Sequence, residues 1–290
     1  MHLVTHGSGS PLVLIHGFGV DHRILLPLDP AVEAHGGWRR IYLDLPSMGG
    51  TSGDGVTCSE DVVVAVERAI RDEIGSEPFA VLGSSYGGMI ARRVAHDLRE
   101  QVLGLATVAA ICAPAGGARD LPPRTVLTGS VAERDAQWFA EVWAGTSSTA
   151  RTGTGGDPAR GAEAERVDDP GLDGYREMAV VPSPEGLAAY RQWVQPGVDA
   201  VDVPALQRIA ERYGLDAEPE QTAAAPFDRP TLLLTGRQDH VVGFADAWRL
   251  LTHYPRGTFV VLDEAGHNVH LDQPEQTAAA ITGWLDRMRR

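Results

Sequence analysis

The sequence predicts an α/β fold: a doubly wound, mostly parallel sheet with an inserted helical cap. Three observations carry that expectation. Short apolar runs at 11–15, 40–45, 79–82, 102–111, 231–235 and 258–262 are β-branched or leucine-rich and end in Gly, Pro or Asp, as strands buried on both faces do. Amphipathic helical patterns stand between these runs, and strand alternating with helix is the mark of a sheet covered by helices on both faces. The alternation stops after Ile111 and resumes at Thr231, which divides the chain into a core of 1–112 with 229–290 and an inserted helical cap of 113–228.

Taken in order, the N-terminal residues read as a strand at once, and 11–15 and 40–45 as the first two buried strands. Val63, Val66, Ile70 and Ile74 then share one face of a helix, and Thr57-Cys58-Ser59-Glu60 before it has the capping-box form T-x-x-E. After 79–82 comes Gly83-Ser84-Ser85-Tyr86-Gly87, followed by Ile90, Val94 and Leu98 at helical spacing. Within the cap, Phe139 with Val142 and Trp143, Leu187 with Tyr190 and Val194, and Leu206 with Ile209 and Tyr213 form three short amphipathic patterns punctuated by Pro or Gly. The stretch 145–161 is rich in Gly, Thr, Ser and Ala, holds no large apolar residue, and is expected to be mobile.

Composition narrows the function classes. A chain of 290 residues suits one α/β core with an insertion, and folding at this length buries about 75% of the surface the unfolded chain exposes. Cys58 and Cys112 have no metal-ligand spacing and read as reduced thiols. With 25 basic and 39 acidic residues the formal charge is −14, which argues against nucleic acid and anionic membrane as partners and says nothing about the substrate; a small-molecule substrate is the partner expected on other grounds. There is no signal-peptide pattern and no apolar run long enough to span a membrane, so the cytoplasm is the default compartment. No oligomeric state is implied.

The chemistry centres on Ser85. In G-x-S-x-G, a serine on a tight strand-to-helix turn has its hydroxyl pushed out of the sheet, and the flanking glycines let neighbouring chain approach closely. A serine hydroxyl needs a base within hydrogen-bond reach and an acid to hold that base. Ligands bind at the carboxyl ends of strands in open α/β sheets, and His16, His240 and His267 all follow a predicted strand there. For the acid, Asp239, Asp246 and Asp263 all lie in the C-terminal third.

Four segments then give the chain its resemblance to the α/β-hydrolase superfamily: His16-Gly17-Phe18-Gly19, Gly83-Ser84-Ser85-Tyr86-Gly87-Gly88, Gly236-Arg237-Gln238-Asp239, and Gly266-His267 with Asp272-Gln273-Pro274-Glu275. The resemblance implies Ser85 as nucleophile, Asp239 as orienting acid and His267 as general base, preferred over His270 because Gly266 precedes it. It implies an oxyanion hole from the backbone N–H groups of Phe18 and Tyr86. His16 is expected to be structural, and Asp44 to organise its loop in a turn where Ser47 replaces the first glycine of D-x-P-G-x-G. Trp138, Phe139, Trp143, Tyr190 and Trp193 are the candidate pocket lining. With about ten residues before 11–15, one N-terminal strand fewer than in many relatives is expected.

Departures narrow the family reading. Ser85 removes the ester-intermediate chemistry of dehalogenases and epoxide hydrolases, which need a carboxylate there. Tyr86 stands where proline iminopeptidases usually carry tryptophan, and Asn268 where meta-cleavage-product hydrolases commonly have an aromatic residue. The resulting expectation is a serine hydrolase, with no cofactor and no metal, that cleaves a small organic ester, lactone or activated C–C bond through an acyl-enzyme. The alternatives are a non-hydrolytic cyclase or lyase using the same residues, and an aminopeptidase or amidase.

Overall fold

The computed structural model describes residues 1–113, 119–144 and 169–289, and the expectation for 145–161 falls outside them. The apolar runs form one seven-stranded sheet in the order β1-β3-β2-β4-β5-β6-β7. Its strands are β1 (Leu3–His6), β2 (Ser10–Ile15), β3 (Trp38–Leu43), β4 (Phe79–Ser84), β5 (Val102–Val108), β6 (Thr231–Gly236) and β7 (Gly257–Leu262). β1 pairs antiparallel with β3, and every other pairing is parallel. A single short strand therefore precedes β2. β4 is central and buried along its whole length, so the chain that leaves its carboxyl end emerges in the middle of the molecule.

The outer layers are helices. Before the insertion these are α1 (Asp29–His35), α2 (Ser59–Ile74) and α3 (Tyr86–Asp97), and Val63, Val66, Ile70 and Ile74 form the buried face of α2 as their spacing requires. The start of α2 differs from the expected capping box. Cys58 is the N-cap without a side-chain bond, and Thr57 instead bonds Asp61 through both its N–H and its hydroxyl, each at 2.9 Å. Glu60 is drawn away because Arg93 and the Asp216 N–H both bind it. The fifth strand also ends earlier than its apolar run: Ala109 turns into the left-handed region at φ 47°, and the Ile111 N–H goes to the Ser85 carbonyl rather than along the sheet.

Between β5 and β6 the described residues are helical or extended, with no strand. α4 (Ala136–Trp138) runs into a π turn at Phe139–Ala144, followed by α5 (Pro170–Met178), α6 (Pro184–Trp193), α7 (Gln195–Val198), α8 (Val203–Glu211) and α9 (Pro219–Thr222). Asp169, Ser183 and Asp202 cap α5, α6 and α8 with their side chains, each followed by proline in the first turn. The chain closes with α10 (Ala245–Leu250), α11 (Val269–Asp272) and α12 (Pro274–Asp286). No described helix is long and apolar enough to cross a membrane.

Polar clamps seat the insertion on the core. Ser59 takes the Arg212 carbonyl on its N–H and the Tyr213 carbonyl on its hydroxyl, and Asp202 N–H binds the Ser47 carbonyl. The strongest clamp is buried. Arg92 of α3 is fully enclosed and donates to both oxygens of Glu220 at 2.7 and 2.5 Å, to Glu218 at 2.6 Å and to the Ile111 carbonyl at 3.0 Å. Burial pushes the Glu220 carboxyl up, but the Arg92 charge outweighs it and holds the group at about 2. Removing one partner strands the other charge, so Arg92→Ala is expected to cost about 3–5 kcal/mol of unfolding free energy. Urea unfolding checks this, and a loss under about 1 kcal/mol contradicts a structural role for the clamp.

Candidate active site

The central strand β4 and helix α3 meet at Ser85, which is the N-cap of α3 with φ 52° and ψ −118°. That backbone is costly for any residue with a Cβ, by roughly 1–3 kcal/mol, and it persists because the surroundings over-determine it. The Ser85 N–H is held by the Val108 carbonyl at 2.9 Å, and the Ser85 carbonyl receives Gly88, Met89 and Ile111. Glycine is required on both sides. A Cβ on Gly83 would lie 2.1 Å from the Gly87 carbonyl oxygen, and one on Gly87 would lie 2.3 Å from the carbonyl oxygens of both Ile15 and His16.

The loops after β6 and β7 bring the other two groups to this turn. His267 Nε2 lies 2.9 Å from Ser85 Oγ, and His267 Nδ1 lies 3.0 Å from Asp239 Oδ2. The tautomer follows from the partners. Asp239 is fully buried, its Oδ1 accepts the N–H groups of Val241 and Val242 at 2.9 and 3.0 Å, and its Oδ2 faces the ring, so Nδ1 carries the proton. Nε2 is then the acceptor for the serine O–H.

The competing residues have other work. Asp263 is exposed and bonds Gln238, while Asp246 bonds Arg249 and the Asp120 N–H. His270 is buried, donates Nε2–H to the Ile24 carbonyl at 2.7 Å, and is pushed down to about 4 by burial. His240 is partly exposed beside Asp239 and bonds neither Ser85 nor Asp239. His16 accepts the Leu45 N–H on Nε2 at 2.9 Å and donates Nδ1–H to the Gly17 carbonyl, which makes it a loop brace.

Gly17 presses that loop onto the serine, since a Cβ there would stand 3.2 Å from Ser85 Cβ. The next N–H, on Phe18, and the N–H of Tyr86 have no hydrogen-bond partner among the described residues. Tyr86 is the first residue of α3, where an N–H has no partner within the helix and the macrodipole favours negative charge. The Phe18 and Tyr86 rings meet edge to face at 5.1 Å, and Tyr213 from the insertion completes the cluster.

Beside Ser85 and His267 lies a cavity of about 170 Å³. Phe18, Val20, Ile24, Met178, Val194 and Val198 form its apolar wall, with Tyr190, Ser84 and Asn268 also facing it. Of the aromatic residues expected there, only Tyr190 lines this cavity. Phe139 stacks on Trp143, Trp143 turns its ring toward Tyr175 and Arg176, and Trp138 packs, partly buried, against the hydrophobic core. Trp193 falls off the stripe of Tyr190, Val194 and Val198 that α6 and α7 present. Spacing identified the helices but not which face meets the core. Met178, Val194, Val198 and Asn268 carried no chemical signal in the sequence, although Asn268 follows the histidine directly.

Asp44 braces the loop as expected, accepting from the N–H groups of His22 and Gly50 and from the rings of His2 and His22. Burial alone would raise its carboxyl, and the bonds from His22 and Gly50 outweigh that, holding it well below the usual range. His2, His22 and Asp44 are the group of potential metal ligands found among the described residues. Both Asp44 oxygens are already filled by these hydrogen bonds, so the set fits a loop clamp. Ser47 adopts a left-handed φ of 71°, a conformation glycine would take with less strain.

Residues 10–274 match the family described as the alpha/beta hydrolase fold. Over 271 residues the chain is 27% identical to a pimeloyl-[acyl-carrier protein] methyl ester esterase of Aeromonas hydrophila, an alignment covering 93% of each chain. A protein of the same name from Xanthomonas campestris is 25% identical over 283 residues, covering 97% of each. Among solved structures, an alpha/beta superfamily hydrolase from Oenococcus oeni superposes with a TM-score of 0.80 at 24% identity, over 99% of this chain and 96% of that one.

One further carboxyl bears on the histidine loop. Asp272 Oδ2 accepts the N–H of Gly266, the residue before His267, at 2.8 Å. Burial pushes the Asp272 carboxyl up to about 7 from the ordinary 3.8, against the pull of the Gly266 N–H and with help from the Asp239 charge. A raised carboxyl means the folded chain holds more protons than the unfolded one between those values, so this group's contribution to stability falls as pH rises through that window. Asp272→Asn keeps the acceptor and removes the titration. Its melting temperature relative to the unmodified protein is expected to be higher at about pH 8 than at about pH 4.5, and equal differences at both contradict the assignment.

Proposed function

The chain belongs to the α/β-hydrolase fold family, and on that premise we propose that it is a serine hydrolase cleaving a small organic carboxylic ester through an acyl-enzyme. The observation that carries this reading is the unbroken relay from Ser85 Oγ through His267 to buried Asp239, opening on a cavity. Ser85 Oγ attacks the ester carbonyl while His267 Nε2 takes its proton. Asp239 holds the imidazole in the required tautomer and stabilises the imidazolium that forms. The carbonyl oxygen gains charge as the tetrahedral centre forms, and the unpartnered N–H groups of Phe18 and Tyr86 receive it, each donor being worth about 2.7–4 kcal/mol of transition-state stabilisation.

His267 then returns the proton to the leaving alcohol, and a water activated at the same Nε2 releases the acid. Asp239 needs no proton in either step, because two N–H groups and the imidazole already satisfy its carboxylate. Ester rather than carbon–carbon cleavage is favoured by the two relatives named as methyl ester esterases, whose alignments run over nearly the whole chain. The apolar wall of the cavity agrees with a neutral substrate.

Turnover of short-chain esters with and without the serine is the test. Ser85→Ala is expected to lower kcat by about 10⁴-fold or more, and His267→Ala by a similar factor without adding to it in the double variant, because the two act as one unit. Turnover that survives in Ser85→Ala contradicts covalent catalysis.

A further inference from the structure

Apart from Ser85 and His267, the polar side chains lining the cavity beside Ser85 are those of Ser84, Tyr190 and Asn268. Ser84 and Asn268 both face it, and neither side chain has a hydrogen-bond partner among the described residues. Asn268 is nevertheless largely enclosed, with 8% of its surface exposed. A buried carboxamide has two donors and an acceptor to satisfy, and leaving them unmet is costly. Asn268 lines this cavity and a much smaller neighbouring one that also holds Tyr175 and Asp272, and its carboxamide is not sealed off, so an occupant of the cavity is an available partner. No Asp, Glu, Lys or Arg side chain lines the cavity beside Ser85, which disfavours a charged occupant for want of a counter-charge.

The chemistry decides which half of the ester this space serves. The acyl half must stay in place through both chemical steps, whereas the alcohol must leave and water must follow its path, so the enclosed space suits the acyl half.

We infer that Asn268 is a specificity residue and that the natural substrate is an ester of a neutral acid bearing a hydrogen-bonding group, a hydroxyl or carbonyl, in its acyl half. This rests on the esterase reading above. Asn268 directly follows His267 in the chain and lines the cavity together with Ser85 and His267, which puts it on the wall that an acyl group carried by Ser85 meets. The apolar wall of Val20, Ile24, Met178, Val194 and Val198 takes the remainder of the chain. A site that supplies a hydrogen bond to a substrate hydroxyl discriminates against the isostere lacking it, because the site's own polar group is then left unpaired.

The test compares methyl 3-hydroxybutyrate with methyl 3-methylbutyrate, which replaces the hydroxyl by a methyl group of similar size. The readout is the ratio of kcat/KM values, so a general loss of activity does not imitate the effect. The unmodified protein is expected to prefer the hydroxy ester by about tenfold, Asn268→Leu to bring the ratio to about one or below, and Asn268→Ser to keep part of the preference. A ratio at or below one in the unmodified protein overturns the inference without any variant having to fold. So does a tenfold preference that Asn268→Leu leaves in place. Turnover of both esters at equal rates sinks this inference alone, whereas turnover of neither ester, nor of simple short-chain esters, overturns the esterase reading and this inference with it.

Discussion

The site depends on one close approach of backbone to backbone at the end of the central strand. Gly87 packs against the carbonyls of Ile15 and His16, and Gly83 against the carbonyl of Gly87, at separations that leave no room for a Cβ on either glycine. This contact locks β2, β4 and α3 together and forces the turn between them to be as tight as the chain allows. Ser85 sits in that turn with a left-handed backbone, its amide and carbonyl both bound to residues at the end of β5. The hydroxyl is thereby fixed above the sheet while the Tyr86 N–H begins a helix with nothing to bond. The proposed nucleophile and the proposed oxyanion donor are two results of one steric constraint.

Strain in the described residues gathers around the same edge. The non-glycine residues with positive φ are Ser47, Ser85, Ala109 and Glu264, and each follows the carboxyl end of a strand: β3, β4, β5 and β7 respectively. Those ends converge on the site. Ser47 turns the loop that Asp44 gathers, Ala109 ends β5 so that Ile111 can bind Ser85, and Glu264 opens the turn that delivers His267. Local strain of this kind is sustained by cooperative bonding elsewhere, and here the buried Arg92 clamp ties α3 to both the end of β5 and the insertion. The insertion in turn walls the cavity with Met178, Tyr190, Val194 and Val198.

How much of this was legible in the sequence depends on how narrowly physics restricts each position. Ser85, Asp239 and His267 were readable through the family resemblance: the chemistry of a serine nucleophile left three histidines and three aspartates open, and the four segments in the family's order selected among them. The buried strands were readable because both faces are covered, which leaves continuous apolar runs. The end of β5 was not, since Ala109 and Ile111 are apolar enough to continue a strand and leave it only because the Ser85 carbonyl attracts an N–H. The cap of α2 went to Asp61 rather than Glu60 because Arg93 and Asp216, distant in sequence, compete for Glu60. The cavity wall was hardest, because aromatic residues at helical spacing serve equally well as core. Phe139 and Trp143 stack on each other instead, while a small amide, Asn268, lines the cavity beside Ser85.

The central claim is that the strained turn presents Ser85 as a nucleophile activated by His267. Its most direct measurement is the site of covalent capture by a p-nitrophenyl alkylphosphonate, which reacts as an ester does and then stays attached. The expected result is complete loss of esterase activity with one phosphonyl group per chain, mapped by peptide mass to the segment holding Ser85. Inactivation with the label on any other residue, or retained esterase activity with no label on Ser85, contradicts it.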